Sequence, residues 1–205
     1  MNESNLIKKK RILFLGYYFP TDAISLSITA IFAALACVLT MTVSIPVPAT
    51  GGYINIGDLS VMLAGLIFGP IIGFISGGVG SALADIFLGY PSWAIWTFLI
   101  KGLEGFVVGL IANPRIFHGK RTYKDILAVI AGGLLMVLGY FIVELLVFNF
   151  GIVASLSEVP GNLFQFIFGA IGSILLIVIL RISILNANPQ TFERIFVIED
   201  RREQT

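Results

Sequence analysis

Apolar residues in this chain come in long runs, separated by short interruptions rich in Gly, Pro and polar residues. The run lengths suit a bilayer, which a helix crosses with about 20 mostly apolar residues. The first run extends from about Ala23 to Val43 and is ended by Pro46 and Pro48. The second covers about Leu59 to Phe68 and stops at Gly69-Pro70. A third runs from about Ile71 to Leu88, ended by Gly89-Tyr90-Pro91, and a fourth from about Trp93 to Ala112, ended by Asn113-Pro114. The fifth covers about Ile126 to Phe150 and the sixth about Leu163 to Leu180. No linker-like stretch divides them. The pattern predicts one all-α transmembrane domain over 23–182, after a basic tail and interfacial segment over 1–22 and before a C-terminal tail over 183–205.

The second run is short for a span and by itself reads as re-entrant. Charge placement decides the matter. With six crossings and a cytoplasmic N-terminus, the inside segments hold every Lys and Arg except Lys101. The outside segments, about Ser44 to Asp58, Gly89 to Ser92 and Gly151 to Asn162, then hold none. A second run that failed to cross would put Arg115, Lys120, Arg121, Lys124 and the Arg-rich C-tail outside, against the positive-inside rule. The expectation is therefore a six-helix bundle with both termini cytoplasmic. Lys8 to Arg11 followed by Ile12 to Phe19 resembles the start of a signal peptide, but Pro20 and Asp22 break the apolar stretch and no small-x-small site follows directly. It reads as an interfacial segment with Tyr17, Tyr18 and Phe19 at headgroup level.

Composition agrees. Of 205 residues, 57% are hydrophobic and 12% charged, where a soluble domain carries roughly 25% charged residues. The net charge of +1 says nothing about nucleic acid, because the basic residues are spread along the chain and lack a stacking-aromatic context, so no nucleic-acid partner is expected. Cys37 and His118 each stand alone, so neither a disulfide nor a metal site is expected, and no cofactor motif is present. Cys37 reads as a packed small residue and His118 as part of a basic loop.

Several runs carry small residues four apart, which stacks them on one helix face and lets backbones approach. Gly69, Gly73, Gly77, Ser81 and Asp85 form such a stripe, and Gly105 and Gly109 another. Ala30 and Ala34 make a flat face on the first helix that can receive a helix of another subunit.

Ionisable residues inside apolar spans cost at least ~2.5–3.5 kcal/mol near the centre, so each is a functional candidate. Here they are Asp85, Lys101, Glu104 and Glu144, with Asp58 at the mouth of the short helix. At 1.5 Å per residue, Asp85 lies roughly 5 Å, Glu144 roughly 10 Å and Lys101 roughly 12 Å below the outer helix ends. Thr97, Lys101 and Glu104 share a face. Trp93, Trp96, Tyr140 and Asn149 fall at similar heights, as do Asn162 and Gln165. Asp85 and Lys101 could form a purely structural pair, yet that leaves Glu104 and Glu144 over. Aromatic rings, amides and spare carboxylates gathered behind an outer loop predict a pocket for a small polar ring compound, neutral or cationic. The loop from Pro46 to Asp58 has a Pro-stiffened end and a Gly51-Gly52 hinge, as a lid would, and Thr50, Tyr53 and Asn55 can hydrogen-bond downward.

These residues resemble the S components of energy-coupling factor (ECF) transporters over about Ala23 to Leu180. The likeness rests on Ala30 and Ala34, on Ala49-Thr50-Gly51-Gly52-Tyr53 through Gly57-Asp58, and on Phe68-Gly69-Pro70. It continues through Gly80-Ser81-Ala82-Leu83-Ala84-Asp85, Gly89-Tyr90 and Lys101-Gly102-Leu103-Glu104-Gly105. The resemblance implies a six-helix vitamin-capturing subunit in the cell membrane. It also implies a transmembrane coupling subunit and two cytoplasmic ATPases as partners, and an S component that topples in the bilayer to carry ligand inward. For the ligand it points to riboflavin, or to pyridoxine or the hydroxymethylpyrimidine half of thiamine. The alternative is a stand-alone proton-coupled carrier with Asp85 and Glu144 as proton sites; an enzyme would need a nucleophile–base pair or metal site that the pattern lacks.

Overall fold

The computed structural model describes residues 13–48, 50–116, 122–187 and 190–197. The basic run Lys8 to Arg11, Ala49, the loop with His118, Lys120 and Arg121, and residues 198–205 lie outside the described residues.

After a short hairpin of β1 (Leu13–Phe14) and β2 (Tyr17–Tyr18), helix α1 spans Ala23–Thr42. Its start is fixed by Asp22, whose carboxylate accepts from the backbone N–H groups of Ile24 and Ser25. The following loop is an antiparallel hairpin of β3 (Ile45–Val47) and β4 (Gly52–Ile54). Helix α2 (Asp58–Phe68) turns into α3 (Pro70–Leu88) at Gly69, whose φ of +88° suits glycine and lets Pro70 open the next helix. Helix α4 covers Pro91–Ala112, and α5 (Tyr123–Ile142) begins with a capping box between Thr122 and Asp125. A π-helical turn, Val143–Val147, ends that span, and α6 runs from Ile152 to Ala187. A short α7 (Gln190–Glu193) closes the described chain.

Five of these helices are long and apolar enough to cross a membrane, and α2 is the shorter sixth. All of α2 except Leu59 is buried, wrapped by α1, α3, α4 and α6. The glycine stripes are the reason it fits. The most extensive helix interface is that of α3 with α4, where a Cβ on Gly73 would stand 2.5 Å from the carbonyl oxygen of Gly105. A Cβ on Gly65 of α2 would meet the same carbonyl at 2.6 Å. Three backbones thus meet at one point, which no side chain larger than hydrogen permits.

At the end of the bundle near the α2–α3 corner, Arg181 of α6 donates to both carboxylate oxygens of Asp125, at 3.0 and 2.8 Å, and to the Leu66 carbonyl at 2.7 Å. This ties α6, α5 and α2 together.

Three expectations need correction. The segment Gly151 to Asn162, read as an outer loop, is helical from Ile152 onward. Ser155, Glu158, Asn162, Gln165, Gly169 and Ser173 are buried at helical spacing while Ile152, Val153 and Leu156 are exposed, so the polar residues form one inward face. Arg181, counted among the inside charges because it follows the sixth run, is a buried tie, and the helix continues past it to Ala187. Tyr17, read as a headgroup anchor, is 2% exposed: its hydroxyl donates to Asn113 at 3.0 Å and its ring meets Phe196 edge-on at 5.8 Å. The hairpin β1–β2 and residues 190–197 therefore pack on each other beneath the bundle instead of trailing as tails.

Candidate functional site

Beneath the β3–β4 hairpin a cleft opens between α3, α4, α5 and α6. Its walls include Tyr53 and Asn55 from the loop, Asp85 from α3, Trp93, Thr97 and Lys101 from α4, and Tyr140 from α5. All seven were singled out in the sequence. Glycine and proline at the helix starts set their heights: Pro91 begins α4 two residues after the left-handed Gly89, with Tyr90 between them, which places Trp93 at the mouth and Thr97 and Lys101 one and two turns deeper.

The hairpin is fastened on two sides. Tyr53 donates its phenolic O–H to Asp85 at 2.5 Å, and its ring lies 5.0 Å from that of Tyr90. Burial, reinforced by the Asp85 carboxyl, pushes the Tyr53 phenol well above its ordinary range, so it stays a protonated donor. Across the cleft the Thr50 hydroxyl donates to Glu158 of α6. Asn55 faces inward to its own turn: its side-chain oxygen accepts the Gly57 N–H at 2.8 Å and fixes the approach to α2.

Deeper, Lys101 sits at the centre of an ion cluster. It pairs with Asp58 at the start of α2 and, at 3.4 Å, with Glu104 on its own helix, all three nearly inaccessible. The ammonium also lies 5.6 Å from the ring centre of Tyr140, whose hydroxyl donates to Thr97 at 3.3 Å. The pairing of Lys101 with Asp85 considered from sequence is replaced by this arrangement, because the N-terminus of α2 inserts Asp58 beside the ammonium while the hairpin takes Asp85. Asp58 and Glu104 thus lie behind the cleft wall.

Glu144, in the π-turn, is fully buried and faces Glu158. Trp93 sits in an aromatic group, its ring centre 4.5 Å from that of Phe148 and 6.1 Å from that of Tyr140, with the rings tilted to one another. Trp96 is half-buried against that group and does not reach the cleft, and Asn149 is exposed in the turn before α6 with φ +53°. Glu158, Asn162, Gln165 and Ser81 also line the cleft; sequence reasoning passed over Glu158, and noted Asn162 and Gln165 at similar heights and Ser81 in the small-residue stripe without naming them as site residues. The signal for the first three was the buried polar periodicity of α6. Ala30 and Ala34 are exposed on the outer side of α1, whereas Ala36 is buried against Gly80 of α3.

The space in which the centre of a water molecule fits is about 30 Å³, against roughly 300–1,000 Å³ for ordinary ligand pockets. The cleft is narrow beneath its fastened hairpin and, as it stands, has too little free space for a ring compound. Among the described residues no group of His, Cys, Asp and Glu has the arrangement to hold a metal ion.

Residues 22–182 match the family model described as "ECF-type riboflavin transporter, S component". A solved structure, described as "Structure and mechanism of the S component of a bacterial ECF transporter", superposes with a TM-score of 0.60 at 23% identity, covering 78% of this chain and 96% of that one. At that identity the likeness is one of fold. An uncharacterized protein of Pyrococcus woesei is 42% identical over 134 residues, 65% of this chain and 86% of its own length. A UPF0397 protein of Streptococcus pneumoniae is 41% identical over 97 residues, 46% of this chain and 52% of that protein, so the chain spans about half the length of that relative.

Proposed function

The chain belongs to the family of S components of ECF-type riboflavin transporters, and on that premise we propose that it captures a riboflavin-type vitamin in the cleft beneath the β3–β4 hairpin for ATP-driven uptake. The observation that carries the reading is the cleft itself: aromatic walls from Trp93, Tyr53 and Tyr140, polar groups at its edges, and a two-sided fastening above it. Aromatic faces hold a flat ring, and sparse convergent polar groups orient it.

In this reading the hairpin end faces outward and both termini are cytoplasmic. Arg115, Lys124, Arg181 and Arg194 all belong to the opposite end, which supports that orientation under the positive-inside rule. The hairpin is a lid. Trp93, Thr97 and Tyr140 contact the ring; Thr50, Tyr53 and Asp85 govern closure; Asp58, Lys101 and Glu104 brace the floor, and Glu144 supports Glu158. The exposed small-residue face at Ala30 and Ala34 receives the transmembrane coupling subunit, through which two cytoplasmic ATPases drive transport. Family membership disfavours the stand-alone carrier.

Mass spectrometry of ligand co-purified with the detergent-solubilised chain tests this. A flavin is the expected compound. A purified, monodisperse chain that carries no flavin and fails to bind added riboflavin would sink the reading.

A further inference from the structure

The β1–β2 hairpin lies outside residues 22–182, the part of the chain that matches the family model. Its root is packed. The Tyr17 ring fits against Gly69, where a Cβ would collide with it. The backbone N–H groups of Tyr18 and Val197 donate to the carbonyls of Ile195 and Gly16 at 2.7 and 2.9 Å. Its tip is open. Leu13, Phe14 and Leu15 are 51%, 43% and 55% exposed. The two-residue turn Leu15–Gly16 has both φ angles positive, at +50° and +84°. Such a turn favours Asn-Gly, because asparagine tolerates the left-handed region. Leucine in that place is neither favoured by the backbone nor buried by the fold.

The surroundings of the tip say what it meets. The Phe14 ring is 6.3 Å from that of Phe106 on α4. Phe106 falls in line with Leu103 and Leu110, which are exposed on the outer strip of this membrane-spanning helix. It precedes the inner helix end at Ala112 by six residues, about 9 Å. The tip is therefore level with the boundary of headgroups and acyl chains, where interfacial elements bury apolar side chains about 5–10 Å deep. The charge beside it is positive. Arg115 packs against Gly16 and over Tyr17, 5.3 Å from the ring centre, and Lys8, Lys9, Lys10 and Arg11 stand just before the hairpin in the sequence.

We propose that the β1–β2 hairpin is an interfacial anchor for anionic phospholipid of the inner leaflet, with Phe14 and Leu15 inserted beside α4 and the neighbouring basic residues on lipid phosphates. The choice of leaflet rests on the orientation proposed above; the lipid contact does not. A small apolar insertion alone holds a membrane surface weakly, and an adjacent basic cluster supplies the second signal. The anchor pins the inner end of α4 at headgroup level. Any tilt of the bundle that lifts this end from the headgroups has to withdraw the tip.

The test puts an environment-sensitive fluorophore on Leu15→Cys in a Cys37→Ser background of the full chain, in phosphatidylcholine nanodiscs. Gly51→Cys at the β3–β4 tip is the water-exposed reference. Nanodiscs open both faces to solvent, so the result is independent of orientation, which thiol labelling in intact cells reads separately. Iodide should quench the Leu15 label at least fivefold less than the Gly51 label. Phosphatidylglycerol carrying a nitroxide near its headgroup should quench Leu15 at least twice as strongly as phosphatidylcholine labelled alike at the same fraction. Leu13→Cys, on the same hairpin, carries the measurement where the Leu15 variant fails to fold. Iodide quenching equal to that at Gly51 overturns the anchor. Equal quenching by the two lipids overturns the anionic partner. Protection from iodide that arises only on adding the coupling subunit and ATPases overturns both, and gives the tip to a protein.

Discussion

Tyr53 and Asp85, 32 residues apart, are joined by a 2.5 Å hydrogen bond in which the phenol donates to the carboxylate. The bond links the hairpin to α3 at the cleft mouth. Tyr53→Phe keeps the ring beside Tyr90 and deletes only the donor. Ligand release should accelerate roughly 3- to 10-fold, the equivalent of about 0.5–1.5 kcal/mol, with association little changed. Stopped-flow displacement measures it, and an unchanged release rate would remove this bond from ligand retention.

Lys101 compensates two carboxylates that are both 0% exposed. Lys101→Met leaves Asp58 and Glu104 facing each other without a cation, and removing one partner of a buried pair costs about 3–5 kcal/mol. The ligand-free protein should melt at a clearly lower temperature in detergent, and affinity should fall more than tenfold. Asp58→Asn added to Lys101→Met should recover part of the melting temperature. A single variant that melts and binds like the parent would show that the cluster supports neither floor nor site.

Ala30→Trp and Ala34→Trp place bulk on the exposed side of α1, away from the cleft. Riboflavin binding by the isolated chain should persist while uptake in cells carrying the coupling module is abolished. Retained uptake would move the subunit contact elsewhere on the bundle.

Orientation can be read with cysteines. In a Cys37→Ser background, Gly51→Cys at the hairpin tip should react with an impermeant thiol reagent in intact cells, and Tyr123→Cys at the start of α5 should not. Both positions are exposed on the protein, so accessibility reports the side of the membrane. Labelling of Tyr123→Cys alone would invert the bundle.

The helix ends were legible because Gly69-Pro70, Gly89-Tyr90-Pro91 and Asn113-Pro114 break helices for local reasons that need no tertiary information. The seam of Gly73 and Gly105 was legible for the same reason: four-residue spacing fixes a face whatever packs on it. The start of α6 was missed because Ser155, Ser157, Glu158, Pro160 and Asn162 look like a loop when counted, and like a helix face only when their spacing is followed into Gln165 and Gly169. Which carboxylate meets Lys101 was not legible. Asp58 and Asp85 both reach its depth, and the choice is made by how far α2 inserts, which depends on Gly169 admitting the Asp58 backbone against α6.

The burial of α2 has a consequence for motion. At 1.5 Å per residue this helix is only about 16 Å long, roughly half the hydrocarbon thickness, yet apart from Leu59 it is sheathed by its neighbours. Asp58 and the ion cluster are therefore solvated by protein, not by lipid or bulk water. A rigid reorientation of the bundle changes which residues meet acyl chains, but leaves the dielectric surroundings of that cluster as they were. The desolvation of the charged floor is thus met once, at folding, and would not recur in any rigid tilt of the bundle.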